Sequence, residues 1–210
     1  MDKYLDIPGW FNSHDAYMWC ARLAKDGEDI VEIGCFAGRG TRFLCDALVS
    51  MGKPNVKVHV IDTFEGSGEE HSEVNCSEMY GLFTKHLQDH IDSGRVQINV
   101  NRSDNQQLIN SFKEESIAAV IVDGDHTYDA VADDVINWWP KVKKDGILIG
   151  DDVRWASVKE GAMKGFNHHH IDEMNIITGD EGWYAKIKSN QLEQYKLKLV
   201  PGVNCMKYSG

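Results

Sequence analysis

Two acidic clusters in this chain, Asp123-Gly124-Asp125-His126 and Asp151-Asp152, bring together side chains that can hold a divalent cation, take up a proton, or do both. Mg²⁺ prefers near-octahedral oxygen coordination and keeps positions for water or substrate. Asp123, Asp151 and Asp152 are therefore the candidate ligands of a site that also admits an acceptor hydroxyl. Asp125 and His126 remain as competing bases, since imidazole titrates near neutrality and a carboxylate beside a cation is the alternative. Acids near strand ends also cap helices, and Asp125 or Thr127 suits the helix that begins near Tyr128.

Each cluster directly follows an apolar run, 118–122 and 146–150, and one helix-length segment separates them. Short Val- and Ile-rich runs read as buried strands, and a connection of this length suits a parallel crossover, so both clusters are expected at one edge of one sheet. The same rhythm runs along the chain. A helix from Ser13 or Asp15 to about Ala24 precedes strand 29–33, helix 41–51, strand 56–61, helix 79–91 and strand 96–100. Helix 106–112, strand 118–122, helix 130–139 (ended by Pro140), strand 147–149 and helix 158–166 follow. Strands 175–178 and 183–187 flank a turn at Gly179-Asp180-Glu181-Gly182. These elements predict an α/β protein: a Rossmann-like, doubly wound, seven-stranded mostly parallel sheet with a C-terminal antiparallel hairpin. A single domain over 1–210 is expected, with an N-terminal helical segment, 1–28, covering the site and a tail, 190–210, that the pattern does not place. Ligands of such sheets bind at the carboxyl ends of the strands.

Composition narrows the function. With 42% hydrophobic residues and no Pro-, Gly- or Ser-rich tract, the chain has material for one core and no evident linker. A formal net charge of -11 and the lack of any Lys/Arg stripe argue against nucleic-acid binding. The cysteines, at 20, 35, 45, 76 and 205, are odd in number and form neither a C-x-x-C pair nor a zinc spacing, which fits reduced thiols in a cytoplasmic compartment. No signal peptide is read after Met1, and no apolar run reaches the roughly 18 residues of a membrane span, so no membrane partner is expected.

The segment Glu32-Ile33-Gly34-Cys35-Phe36-Ala37-Gly38-Arg39-Gly40-Thr41 sets three glycines between a strand and a helix, where close backbone approach to a ligand requires the absence of side chains. Its G-x-x-x-G-x-G spacing departs from the dinucleotide fingerprint G-x-G-x-x-G, which weakens a nicotinamide-dependent oxidoreductase reading. Asp62, ending the next strand, is placed to accept hydrogen bonds from a ribose. With Asp62, Asp-Gly-Asp-His and Gly-Asp-Asp, this loop resembles those of class I S-adenosylmethionine-dependent methyltransferases, over roughly residues 9–187. Within them the chain is most similar to the metal-dependent small-molecule O-methyltransferases of the macrolide-sugar and catechol types. Asp152 matches the sugar type, where catechol-type members have Asn.

The resemblance implies S-adenosylmethionine as cofactor and a divalent metal, Mg²⁺ first. It places Gly34 and Gly38 against the methionine portion, Asp62 at the ribose, and Ser103 and Asp104 near the adenine, with Glu32 and Asp123 also on the cofactor side. It supports Asp123, Asp151 and Asp152 as the metal ligands. A sulfonium and an ammonium without phosphate favour acidic surroundings, so the loop suits this cofactor electrostatically. The implied reaction is O-methyl transfer to a small-molecule or sugar hydroxyl. A non-catalytic adenosyl-binding module is the alternative, and a homo-oligomer is left open.

Several residues have two readings. Phe64 either packs on the adenosine or belongs to the core, and Trp10-Phe11 and Trp155 either wall the acceptor pocket or pack inside. Asp133-Asp134 and Glu114-Glu115 read as solvated faces. His168-His169-His170 cannot form one facial triad, because adjacent side chains diverge, and reads as a loop. Acceptor choice is expected to reside in the N-terminal segment, in 65–80 and after Trp155.

Overall fold

The structure, a computed structural model, describes residues 2–67 and 76–171 and, as backbone alone, Glu173–Ile177, Trp183–Ala185 and Cys205–Ser209. Five parallel strands form the sheet's body: β1 (Asp29–Ile33), β2 (Lys57–Asp62), β3 (Val96–Val100), β4 (Ile117–Val122) and β5 (Val142–Gly150). Their spatial order is β3-β2-β1-β4-β5. The chain winds outward from β1 to β3 and then returns to β4 on the other side, so the topological switch lies between β1 and β4. Beyond β5 the backbone of β6 (Glu173–Ile177), β7 (Trp183–Ala185) and β8 (Cys205–Ser209) pairs antiparallel, in the order β5-β7-β6-β8. The turn expected at Gly179 to Gly182 lies outside the described residues.

Among the described residues, six helices cover the two faces: α1 (His14–Leu23), α2 (Arg39–Ser50), α3 (Met79–Asp92), α4 (Gln106–Ser111), α5 (Tyr128–Trp138) and α6 (Ala156–His168). Alternation along the strands sorts the core into two halves. Ile30, Val58, Val60, Ile121 and Ile149 meet Tyr17, Leu44 and Phe83 of α1 to α3, while Val31, Ile61, Val120 and Leu148 meet Trp138 and Phe166 of α5 and α6. Both faces of the central strands are thus dry, as near-continuous Val/Ile runs require. After α5, Pro140 sits in a short 3-10 turn, Trp139–Lys141, and β5 starts at Val142, five residues before the expected strand.

Register decides what meets at the carboxyl edge. Ile33 pairs with both Ile61 and Val122, and Val122 pairs with Gly150, so β1, β2, β4 and β5 end level with one another. Among the described residues no helix is long and apolar enough to cross a membrane.

Candidate active site

The ladder continues one residue past the strands. Gly34 N donates to Ile61 O at 2.9 Å, Asp123 N to Ile33 O at 2.8 Å and Asp151 N to Val122 O at 3.2 Å. These bonds bring the exits of β1, β4 and β5 side by side. Gly34 has φ +79, and a Cβ there would lie 2.0 Å from the Asp123 carbonyl oxygen, so only glycine lets the two exits pass. Gly38, at φ +90, caps α2, and a Cβ there would meet Leu87 and Phe83 at 2.6 and 2.8 Å. The glycines expected to admit a ligand are thus already required by the protein's own packing.

Asp62 holds the loop from the neighbouring strand. Its Oδ2 accepts from the backbone N–H of Cys35 (2.8 Å) and Phe36 (3.2 Å), and its Oδ1 from that of Phe64 (2.7 Å). Phe36 and Phe64 both have left-handed backbones, φ 50 and 57, a costly conformation for an aromatic residue that these bonds help to fix. Phe64 is buried, as its core reading expects, and it also lines the cavity. Glu32, 1% exposed, accepts from the Tyr17 hydroxyl at 2.9 Å and the Thr41 hydroxyl at 2.7 Å. Burial pushes its carboxyl up to about 8 against the pull of these two bonds, with Asp123 and Asp62 adding to the rise.

A cavity of about 460 Å³ runs along this edge. Glu32, Gly34, Asp62 and Ser103 line it together with Asp123, Asp125, His126, Asp151 and Asp152, so most of the predicted residues share one space. Gly38 and Asp104 are not among the lining residues. Ligand atoms of Asp123, His126 and Asp152 lie within 4.8 Å of one another. His126 Nε2 stands 3.3 Å from Asp152 Oδ2 and 3.9 Å from Asp123 Oδ1. Asp151 is turned to its neighbour: its Oδ1 accepts from Asp152 N at 2.8 Å, so the compact group holds the imidazole where the third carboxylate was expected. Burial raises the Asp123 carboxyl to about 7, with Asp151 and Asp152 contributing and His126 opposing. Asp125 Oδ1 accepts from Thr127 N at 2.9 Å and so turns the chain into α5, while the Thr127 side chain makes no cap.

At the far end, Ser103 is gripped from α5. The Trp138 indole Nε1 donates to its carbonyl at 3.0 Å, and its side chain is hydrogen-bonded to Asp134. Asp134 is 3% exposed, which corrects its reading as part of a solvated face; Asp133 beside it does face solvent. Burial lifts the Asp134 carboxyl to about 7 despite the Ser103 bond. Asp104 is instead paired with Arg102 at 2.8 Å. Trp10 is 76% exposed and lines the cavity, whereas Phe11 lines it and is buried. Trp155 reaches the site through His126, ring centroids 5.3 Å apart. His169 bonds the Ile136 carbonyl at the end of α6, and none of the three adjacent histidines lines the cavity. Of the segments expected to select an acceptor, 68–75 lies outside the described residues. Tyr17 and Thr41 escaped the sequence reading, although a buried tyrosine hydroxyl calls for a partner.

Residues 31–153 match a family model described as a methyltransferase domain. A curated relative, the uncharacterized protein y4gI of Sinorhizobium fredii, is 26% identical over 155 residues, covering 70% of this chain. The chain spans 16% of that relative's length. Among solved structures, the O-methyltransferase NovP superposes with a TM-score of 0.63 at 17% identity, covering 85% of this chain and 80% of its own. A TDP-rhamnose 3'-O-methyltransferase of calicheamicin biosynthesis gives 0.57 at 15% identity, covering 84% and 78%. At these identities the superpositions speak for the fold.

Proposed function

Since the chain belongs to the methyltransferase-domain family, we propose that it is a class I S-adenosylmethionine-dependent methyltransferase, moving the methyl group to a hydroxyl of a small molecule or sugar with the help of a divalent cation. The observation that carries this reading is the single cavity in which the glycine loop with Asp62 and the Asp123, His126, Asp152 group are contiguous. A cofactor on the first and an acceptor on the second would share one cavity, as direct transfer requires.

The donor set fits a cation: Asp123 and Asp152 carry two close carboxylates whose mutual repulsion a divalent charge relieves, and Asp151 stands beside them. When bound, Mg²⁺ would lower the pKa of a coordinated acceptor hydroxyl. When bound, S-adenosylmethionine supplies an electrophilic methyl on a sulfonium. Asp62 takes the ribose hydroxyls, Ser103 bounds the adenine end, and Asp123, with Glu32 once a nearby cation draws off its proton, favours the cationic end of the cofactor. His126 accepts the acceptor's proton at Nε2, where the neighbouring carboxylates stabilise the imidazolium. Asp125 is committed to the turn before α5, which favours His126 as the base. Trp10 lines the acceptor space and Trp155 packs against the His126 ring, and the acidic lining disfavours nucleic acid.

Compactness supports a second reading, in which His126 is the third ligand and Asp125 the base. One experiment separates them. Methyl transfer from labelled S-adenosylmethionine to hydroxylated acceptors is followed with and without chelator, beside calorimetric Mg²⁺ and Mn²⁺ binding to the wild type, D123N and H126N. We expect chelator to abolish transfer and D123N to weaken cation binding at least 10-fold, the scale of losing a charged ligand. H126N that keeps its cation but loses transfer supports the first reading, and loss of the cation supports the second. Transfer that persists in excess chelator removes the metal from the reaction.

A further inference from the structure

Among the described residues, six carboxylate residues line the cavity, namely Glu32, Asp62, Asp123, Asp125, Asp151 and Asp152. Such a wall attracts a sulfonium and an ammonium and repels the carboxylate that S-adenosylmethionine also carries. Among the described residues, two guanidinium groups line the same space, those of Arg39 and Arg102. Arg102 is 74% exposed and its charge is already paired with Asp104 at 2.8 Å. Arg39 differs. It is the first residue of α2, set between Gly38 and Gly40, and its Nη1 donates to the carbonyl oxygen of Gly9 at 2.6 Å. No carboxylate among the described residues meets it, and its Nε is buried without a hydrogen-bond partner. An arginine left unpaired beside six acids is held for an anion that the protein does not itself provide.

Resting on the S-adenosylmethionine reading, we propose that Arg39 binds the α-carboxylate at the methionine end of the cofactor, while its bond to Gly9 ties the N-terminal segment to the loaded site. The loop positions this charge well. Gly34, Cys35 and Gly40 line the cavity next to Arg39, and Tyr17 packs where a side chain on Gly40 would stand, 3.0 Å from its Cβ position. The acids then serve the cations of the ligand and Arg39 its anion, so a zwitterionic end is read at both charges. Gly9 is followed by Trp10, Phe11 and Asn12, which line the cavity, so one side chain joins the cofactor to that wall.

Calorimetry with S-adenosylmethionine, its decarboxylated form and 5'-methylthioadenosine, against the wild type, R39M and R39K, tests this. The wild type is expected to bind S-adenosylmethionine about 10- to 100-fold more tightly than the decarboxylated form, the range for one charge-assisted hydrogen-bonded pair. R39M should erase that preference and leave affinity for the two ligands without a carboxylate within about threefold, as expected if only the ion pair is lost. R39K keeps the charge without the planar fork and should retain part of the preference. Equal weakening of all three ligands in R39M, or of none, overturns the assignment, and so does loss of methylthioadenosine binding in R39K. A wild type that binds no adenosyl ligand overturns the cofactor reading itself, a result distinct from a wild type that binds all three without preference.

Discussion

Asp62 accepts three backbone N–H groups, and two of the donors, Phe36 and Phe64, have left-handed backbones. An acceptor-only carboxylate is the one side chain of this size that can serve donors on both oxygens. Asparagine cannot replace it, because its NH₂ would oppose either the Cys35 and Phe36 donors or the Phe64 donor. D62N is therefore expected to lose about 2–3 kcal/mol of stability, close to D62A, as charge-assisted bonds are lost and a buried donor is left unmet. Denaturant midpoints of the two variants check this, and a D62N protein as stable as wild type would sink it. The acids after apolar runs were legible because charge ending a Val/Ile strand is conspicuous. Asp134 was hidden by its pairing with Asp133, yet it follows Val131 by three residues and precedes Trp138 by four, on the buried face of α5. Arg39 was hidden too, since nothing in the sequence separates a glycine-flanked arginine from a solvated one.

Helix α5 carries the acidic site at one end and Ser103 at the other, so its seating on α6 governs both. That seating depends on Gly161 and Gly165. A Cβ on Gly165 would lie 2.5 Å from Val135 Cβ and 3.0 Å from the Ala132 carbonyl, and one on Gly161 would lie 2.5 Å from the Tyr128 carbonyl. Alanine normally gains up to about 1 kcal/mol over glycine inside a helix. Here overpacking against a β-branched side chain and backbone wins, and G165A is expected to be destabilised by about 1–3 kcal/mol. Equal or higher thermal stability of G165A would mean that α5 and α6 have room to separate. At this scale the sequence was readable where apolar spacing marks a buried face. It failed where polar residues sit inside a strand: Lys143, Lys144 and Asp145 interrupt β5, whose backbone already pairs at Val142 with Ile117.

The whole molecule has buried acids with shifts of one sign. Burial holds Glu32 up at about 8 and Asp134 up at about 7, so each favours the folded protein fully below the ordinary carboxylate range near 4. That contribution is lost as pH rises through 7 to 8. Other acids oppose this at the acid end. Asp29 is lowered by its bond to His59, and Asp89, despite partial desolvation, by Arg42; their contribution is present above the ordinary range and lost as pH falls below it. Stability without ligand should therefore peak between about pH 4 and 6 and decline toward 8. D134N isolates one share of the decline. At pH 4 its amide resembles the protonated acid and still accepts the Ser103 hydroxyl, apart from an offset that does not vary with pH. As pH rises to about 7.5, the variant should gain on the wild type by an amount on the order of 2–4 kcal/mol, since each pKa unit is worth about 1.4 kcal/mol. Urea midpoints of both proteins at half-unit pH steps measure this gain. A difference between them that stays flat from pH 4 to 8 would mean that Asp134 is ionised throughout, and that the grip on Ser103 carries a charge the fold tolerates.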